Sequence, residues 1–225
     1  PITVPVLHLM GNHELYNFNR EECARLIPNG APWYRSFQPA PGWRVVVLDS
    51  FEINVIEKGG GPRVEEGIAY LSKHNPNDLR APRGTVDLQE GLTGLDRRFV
   101  PMGGGMGQDQ LLWLVSELRA ARGAGERVII LSHLPFLPEA TVPGALLWNY
   151  DEVLEILRQE EETVALVMAG HFHRGGYAAD RATGTHHVTL ESPLGTTPEN
   201  PMAHCTVEAW GDRIEIIGSG IVTSR

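Results

Sequence analysis

Three short segments of this chain carry side chains suited to binding a metal ion: Gly11-Asn12-His13-Glu14, Ser132-His133-Leu134-Pro135 and Gly170-His171-Phe172-His173. Each follows an apolar run that reads as a strand, and the loops after strand ends are where α/β folds assemble their sites. Imidazole nitrogens and an amide oxygen suit borderline divalent metals such as Mn, Fe or Zn. In an extended segment the period of two turns both histidines of His171-Phe172-His173 the same way, within reach of two adjacent metals. A single histidine at a strand end is ordinarily a hydrogen-bonded core residue. Three such segments, each after a buried strand, point to a metal centre instead. No Gly-x-Ser-x-Gly nucleophile elbow and no Gly-x-x-x-x-Gly-Lys-Ser/Thr phosphate loop occurs in the chain.

The elements that must position these residues are legible as apolar runs. Strands are expected at Val4–Met10, Val45–Ser50, Val128–Ser132, Val164–Ala169, His187–Glu191, Thr206–Trp210 and Arg213–Ile217. The first four are almost continuously apolar, as strands covered on both faces are. Gly211-Asp212 separates the last two as a hairpin turn. Helical spacing predicts helices over Gln108–Arg122, Tyr150–Glu161 and Arg20–Ile27. Strands alternating with helices, followed by a run of strands, predict an α/β core with an antiparallel portion. Residues 51–107 hold two Gly-Gly-Gly runs and several prolines with little periodicity, which reads as a lid or binding loop.

The 225 residues, 42% hydrophobic and 21% charged, suit a single globular domain. A formal charge of −9 argues against a nucleic-acid partner but leaves room for a small phosphorylated one whose charge is met by bound cations. No run is long enough for a membrane span. Cys23 and Cys205 lack any metal-binding spacing, and read as free thiols of a reducing, cytoplasmic compartment.

Gly-Asn-His-Glu, a strand-end histidine and Gly-His-x-His together resemble the calcineurin-like metallophosphoesterases. Within them the chain is most similar to the manganese-dependent ADP-ribose/CDP-alcohol diphosphatases. That similarity rests on residues 11–18, His74-Asn75-Pro76-Asn77, Leu147-Trp148-Asn149-Tyr150-Asp151-Glu152, Gly170–Tyr177 and residues 186–191. The resemblance implies a four-layer α/β/β/α sandwich of two mixed sheets, and two divalent metal ions, Mn²⁺ first, with Fe or Zn as alternatives. It implies hydrolysis of the diphosphate bond of a nucleoside diphosphate derivative such as ADP-ribose or a CDP-alcohol. Asn12, His133 and His171 match the ligands of one metal and His173 a ligand of the other. His13 matches the histidine that protonates or stabilises the leaving oxygen. Asp-x-His (or Asp-x-Gln) and Gly-Asp-x-x-Asp motifs are expected ahead of Gly11 and are not in this sequence, so the domain reads as N-terminally incomplete and this chain as inactive on its own.

Around these residues several readings stay open. Glu14 either orients a neighbouring imidazole or is an acidic residue at a helix N-terminus or on a surface loop. Tyr16 and Phe18 either stack on a base or pack after the strand. Asn75, Asn77, Trp148 and Asn149 line the substrate pocket by resemblance, though each type is more often structural. Arg174 either touches a phosphate or stays solvated. His186 and His187 are structural, with alternation sending only one inward, and His8, His74 and His204 receive no role. The rival functions are a phosphodiesterase for cyclic nucleotides or phospholipid-like diesters, and a catalytically inactive scaffold.

Overall fold

A computed structural model describes residues 4–27, 31–82, 84–160 and 162–225. Its main sheet has six strands in the order β1-β2-β3-β4-β6-β5. These are β1 (Arg35–Ala40), β2 (Trp43–Val47), β3 (Arg127–Leu131), β4 (Val164–Ala169), β5 (Arg174–Ala179) and β6 (His186–Glu191). Strands β2, β3, β4 and β6 are mutually parallel, while β1 and β5 run antiparallel as the two edges. All four parallel strands therefore deliver their C-terminal ends to one rim.

The continuous apolar runs are explained by two covered faces. Val46, Val128, Ile130 and Val167 point to one side, where they meet helices α4 (Gln108–Gly123) and α5 (Tyr150–Gln159) through Leu114, Leu118, Val153 and Leu157. Their neighbours Val45, Val47, Ile129, Leu166 and Met168 point to the other. There they meet Ile216, with Val207 and Ile214, from an antiparallel hairpin of β7 (Ala203–Ala209) and β8 (Ile214–Gly220). The expected turn closes that hairpin, Trp210 N–H donating to Arg213 O at 2.8 Å.

The sandwich thus has its helical layer and two sheets. The second sheet is a two-stranded antiparallel ribbon where a mixed sheet was expected, and no helix covers its outer face among the described residues. Residues 4–10 form no strand, because no strand of either sheet pairs with them. Val4, Val6 and Leu7 are exposed, and residues 1–3 lie outside the described residues. Helix α5 ends at Gln159, and Glu161, where the sequence placed its end, is also outside them. Two further helices were not expected from the sequence, α1 (Asn12–Asn17) and α3 (Pro62–Leu71); α2 (Arg20–Leu26) was.

Residues 51–107 are not a featureless loop. They hold α3, a short 3₁₀ turn at Gly94–Arg98 and a bridge between Ile53 and Gly105. A small core of Leu71, Phe99 and Trp148 gathers Ile53, Val55, Tyr70 and Leu79 around it. Both ends of the segment belong to the main core through Phe51 and Met106.

Candidate metal centre

Strand β3 ends at Leu131 and β4 at Ala169, and the ladder continues one step beyond them. Ser132 N–H donates to Met168 O at 3.0 Å, and Gly170 N–H donates to His133 O at 3.0 Å. The two histidine-bearing loops are thus tied backbone to backbone. His171 takes a left-handed conformation, φ 65°, an uncommon backbone for a residue with a side chain. The His171-Phe172-His173 segment is accordingly a turn, not the extended stretch that the alternation argument assumed.

Helix α1 arrives from the other side. Gly11 precedes it, and a Cβ there would lie 2.8 Å from His133 ring atoms, so the missing side chain lets the imidazole approach. Glu14 caps this helix by accepting the Gly11 N–H at 2.9 Å and does not hold an imidazole. Asn12 is buried at the first helical position.

The three side chains meet closely. Asn12 Oδ1 lies 3.0 Å from His133 Nε2 and 3.3 Å from His171 Nδ1, and the two nitrogens are 3.3 Å apart. Two donors each about 2.1 Å from one metal are separated by about 3.0 Å at right angles and about 3.4 Å at tetrahedral angles. The observed triangle falls in that interval, so the donor set fits a metal ion. Among the described residues no three His, Cys, Asp or Glu side chains form such a group; the third donor here is an amide oxygen.

The imidazoles are in the state a metal requires. Burial, then the neighbouring His171, His13 and His173, holds His133 down at about 3. Burial, then His173 and His13, lowers His171 to about 4. Both rings are neutral at pH 7, each with a lone pair free for coordination. Phe51 packs against both, at 5.7 and 6.4 Å between ring centroids, and fixes them from the core side.

His13 and His173 are exposed, and both line the same cavity of about 540 Å³ as Asn12, His133 and His171. All five residues singled out for chemistry are therefore brought together. Sequence reasoning missed other walls of this cavity: Glu191 and Ser192 at the end of β6, and His204 and Cys205 on β7. They come from separate elements and carry no shared spacing, so only the fold reveals them.

The residues expected to bind substrate are placed differently. Tyr16 is half-buried between Asn12 and a second cavity of about 500 Å³ inside residues 51–107, walled by Val55, Ile56, Leu79, Leu88 and Met102. Phe18 is exposed, with the Lys58 ammonium 5.8 Å from its ring. Arg174 is exposed at the start of β5. Asn75, Trp148 and Asn149 are buried, with their polar atoms committed to the backbone. Asn75 donates to Leu88 O and Phe99 O, Trp148 Nε1 donates to Val100 O, and Asn149 exchanges two bonds with Met106. In this structure those three act as struts of the 51–107 segment. Asn77, the remaining residue placed in the pocket by resemblance, bonds Asn75 Oδ1 and Glu90 O.

The calcineurin-like phosphoesterase family model matches residues 1–175. The manganese-dependent ADP-ribose/CDP-alcohol diphosphatase of Oryza sativa subsp. japonica is 38% identical over 223 residues, covering 96% of this chain and 65% of its own length. The human protein of the same name is 33% identical over 243 residues, covering 100% of this chain and 68% of its own length. A crystal structure of a dimetal phosphatase from Danio rerio superimposes with a TM-score of 0.87 at 35% identity, covering 99% of this chain and 72% of that one. This chain therefore spans about two thirds of the length of the curated relatives it matches. From the match of the family model and these identities, the chain belongs to the calcineurin-like phosphoesterases.

Proposed function

We propose that this protein hydrolyses the diphosphate bond of a small nucleoside diphosphate derivative, of the ADP-ribose or CDP-alcohol type, with a pair of divalent cations of which Mn²⁺ is the first choice. The observation that carries this reading is the triangle of Asn12 Oδ1, His133 Nε2 and His171 Nδ1, with His13 and His173 on the same cavity. The names of the rice and human relatives, manganese-dependent ADP-ribose/CDP-alcohol diphosphatases, support both the metal and the substrate class.

Asn12, His133 and His171 would hold one cation, and His173 would contribute to the other. The cation pair, when bound, supplies a water of lowered pKa and positive charge for the phosphate oxygens. The remaining work falls to side chains of this chain. His13 stands on the exposed side of the cavity and outside the triangle, free to give a proton to the leaving oxygen or to hold its charge. Phe51 closes the core side of the imidazoles and keeps water off them. Residues 51–107 act as a lid whose cavity, lined in part by Tyr16, selects the organic half of the substrate. Among the described residues no helix is long and apolar enough to cross a membrane.

The test is product analysis with and without Mn²⁺. ADP-ribose must give AMP and ribose 5-phosphate, and a CDP-alcohol must give CMP and the phosphoalcohol. Turnover of a cyclic nucleotide or simple diester with neither of these products overturns the assignment.

A further inference from the structure

We propose that Tyr16 is a positioning residue for the metal centre: its hydroxyl fixes the Asn12 amide so that the oxygen, and not the nitrogen, faces the two histidines. The inference rests on the reading of Asn12, His133 and His171 as the donors of one metal. It assigns Tyr16 a task other than the base-stacking expected from its sequence position.

An asparagine is a poorly defined ligand unless something holds it. Its amide turns about an sp³–sp² torsion with broad, shallow preferences, and only one of its two ends can bind a cation. Helix α1 fixes the Asn12 backbone but leaves that torsion free. Tyr16 follows four positions later, on the same face of the helix. Asn12 Nδ2 donates to the Tyr16 hydroxyl at 3.2 Å, while Asn12 Oδ1 is the atom 3.0 and 3.3 Å from His133 and His171. A bound cation claims the oxygen, and the buried NH₂ then needs an acceptor, which the phenol supplies. With Asn12 Oδ1 turned to the histidines the phenol is the acceptor for Nδ2, so in the orientation that coordination demands both ends of the amide have a partner.

The phenol is itself held. Its ring meets the His13 ring edge to face at 5.7 Å between centroids, and it lines the lid cavity together with Val55 and Ile56. Tyr16 thus lines the lid cavity while its hydroxyl is bonded to Asn12 of the donor set. A side chain that orients a ligand in this way is commonly worth 10- to 100-fold in metal affinity.

The experiment titrates Mn²⁺ alone into the metal-free protein by calorimetry, for wild type, Tyr16→Phe, Asn12→Ala and the double variant. Phenylalanine keeps the ring and the packing, so the metal-free protein should stay folded and its thermal midpoint should fall by no more than the loss of one hydrogen bond, while Mn²⁺ affinity falls about 10- to 100-fold. In the Asn12→Ala background the same change should cost nothing further, because the group it positions is gone. Tyr16→Phe binding Mn²⁺ within about threefold of wild type, or losing the same factor in both backgrounds, overturns the proposal. Wild-type protein that binds no Mn²⁺ overturns the donor-set reading itself, a failure distinct from one confined to Tyr16→Phe.

Discussion

His187 on β6 offers a test of the fold's electrostatics. Its side chain is 3% exposed and neither ring nitrogen has a hydrogen-bond partner. It lies beside Val167 of β4 and Ala178 of β5, on the helix-covered face of the sheet. The charged and titratable groups acting on it are Asp180, Arg158 of α5 and the adjacent His186. Asp180 is already engaged by Arg158 at 2.9 Å, so its pull on an imidazolium is largely spent. Burial therefore dominates and lowers His187 from 6.5 to about 4.

A histidine whose folded pKa is lowered weakens the fold as pH falls. The unfolded chain takes up the proton from pH 6.5 downward, and the folded one does so only near pH 4. At about 1.36 kcal/mol per pH unit, the 1.5 units between 6.5 and 5.0 cost about 2 kcal/mol. Below pH 4 the loss levels off. His187→Leu removes the titration and two unpartnered nitrogens, while the change of shape costs the same at every pH. Urea unfolding of both proteins at pH 7.5 and 5.0 should show the variant gaining about 2 kcal/mol on wild type between the two. That corresponds to about 4–8 °C in thermal midpoint for a chain of this size. A gain below about 0.5 kcal/mol would refute the burial argument, since all other titrations cancel in the comparison.

Within the metal centre, His171→Ala should lower both Mn²⁺ content and turnover, whereas His13→Ala should lower turnover about 10²- to 10⁴-fold and spare the metal; equal metal loss in both, measured by elemental analysis, would reverse the assigned roles. Arg20 pairs with Asp49 at 2.6 Å, with side chains 11% and 3% exposed. Arg20→Met strands that carboxylate and should destabilise the protein by about 3–5 kcal/mol in urea unfolding. Trp148→Ala empties the small core under the 51–107 segment and should cost about 3–5 kcal/mol. Replacing residues 76–96 with a short flexible linker opens the lid cavity; KM for ADP-ribose should rise while hydrolysis of a simple phosphodiester is spared. Equal loss on both substrates would make the segment a support for the core.

The sheet's centre was legible because its chemistry is simple. Residues of β2, β3 and β4 alternate between two dry faces, so nearly every position is apolar whichever way it points. Its edges were not. Strand β1 contains Pro39, which an edge tolerates because one side of the ladder is free, and its register shifts between Phe37 and Ala40. Strand β5 contains Gly175 and Gly176, and a Cβ at Gly176 would collide with the carbonyl oxygen of Ala140. Helix α3 was hidden by Gly67, which sits where the Asn54 backbone crosses it and leaves no room for a side chain. In each case a residue type that usually interrupts a strand or helix is here a close-packing or edge residue. Val4–Met10 shows the opposite error. Its pattern suits a strand, but a strand exists only against a partner, and neither described sheet provides one.

The site divides in the same way. Strand-end placement brought His133 and His171 together with no knowledge of loop geometry, because parallel neighbours β3 and β4 must end on the same rim. What makes the triangle close is not in the pattern: the left-handed backbone of His171, the bare Cα of Gly11 against His133, and a hydroxyl four residues along a helix that reads as loop. Asn12, Asn75 and Asn149 are the same residue type, drawn from segments alike in their resemblance to one family, and all three are buried. Their amides separate them. Asn75 and Asn149 spend both ends on backbone groups of the 51–107 segment, as a peptide would. Asn12 gives its nitrogen to Tyr16 and brings its oxygen to within 3.0 and 3.3 Å of ring nitrogens of two neutral imidazoles, which are side chains of the cavity and not backbone groups. One amide oxygen and two neutral imidazole nitrogens at these separations suit a shared cation, which sets the role proposed for Asn12 apart from those of the struts Asn75 and Asn149.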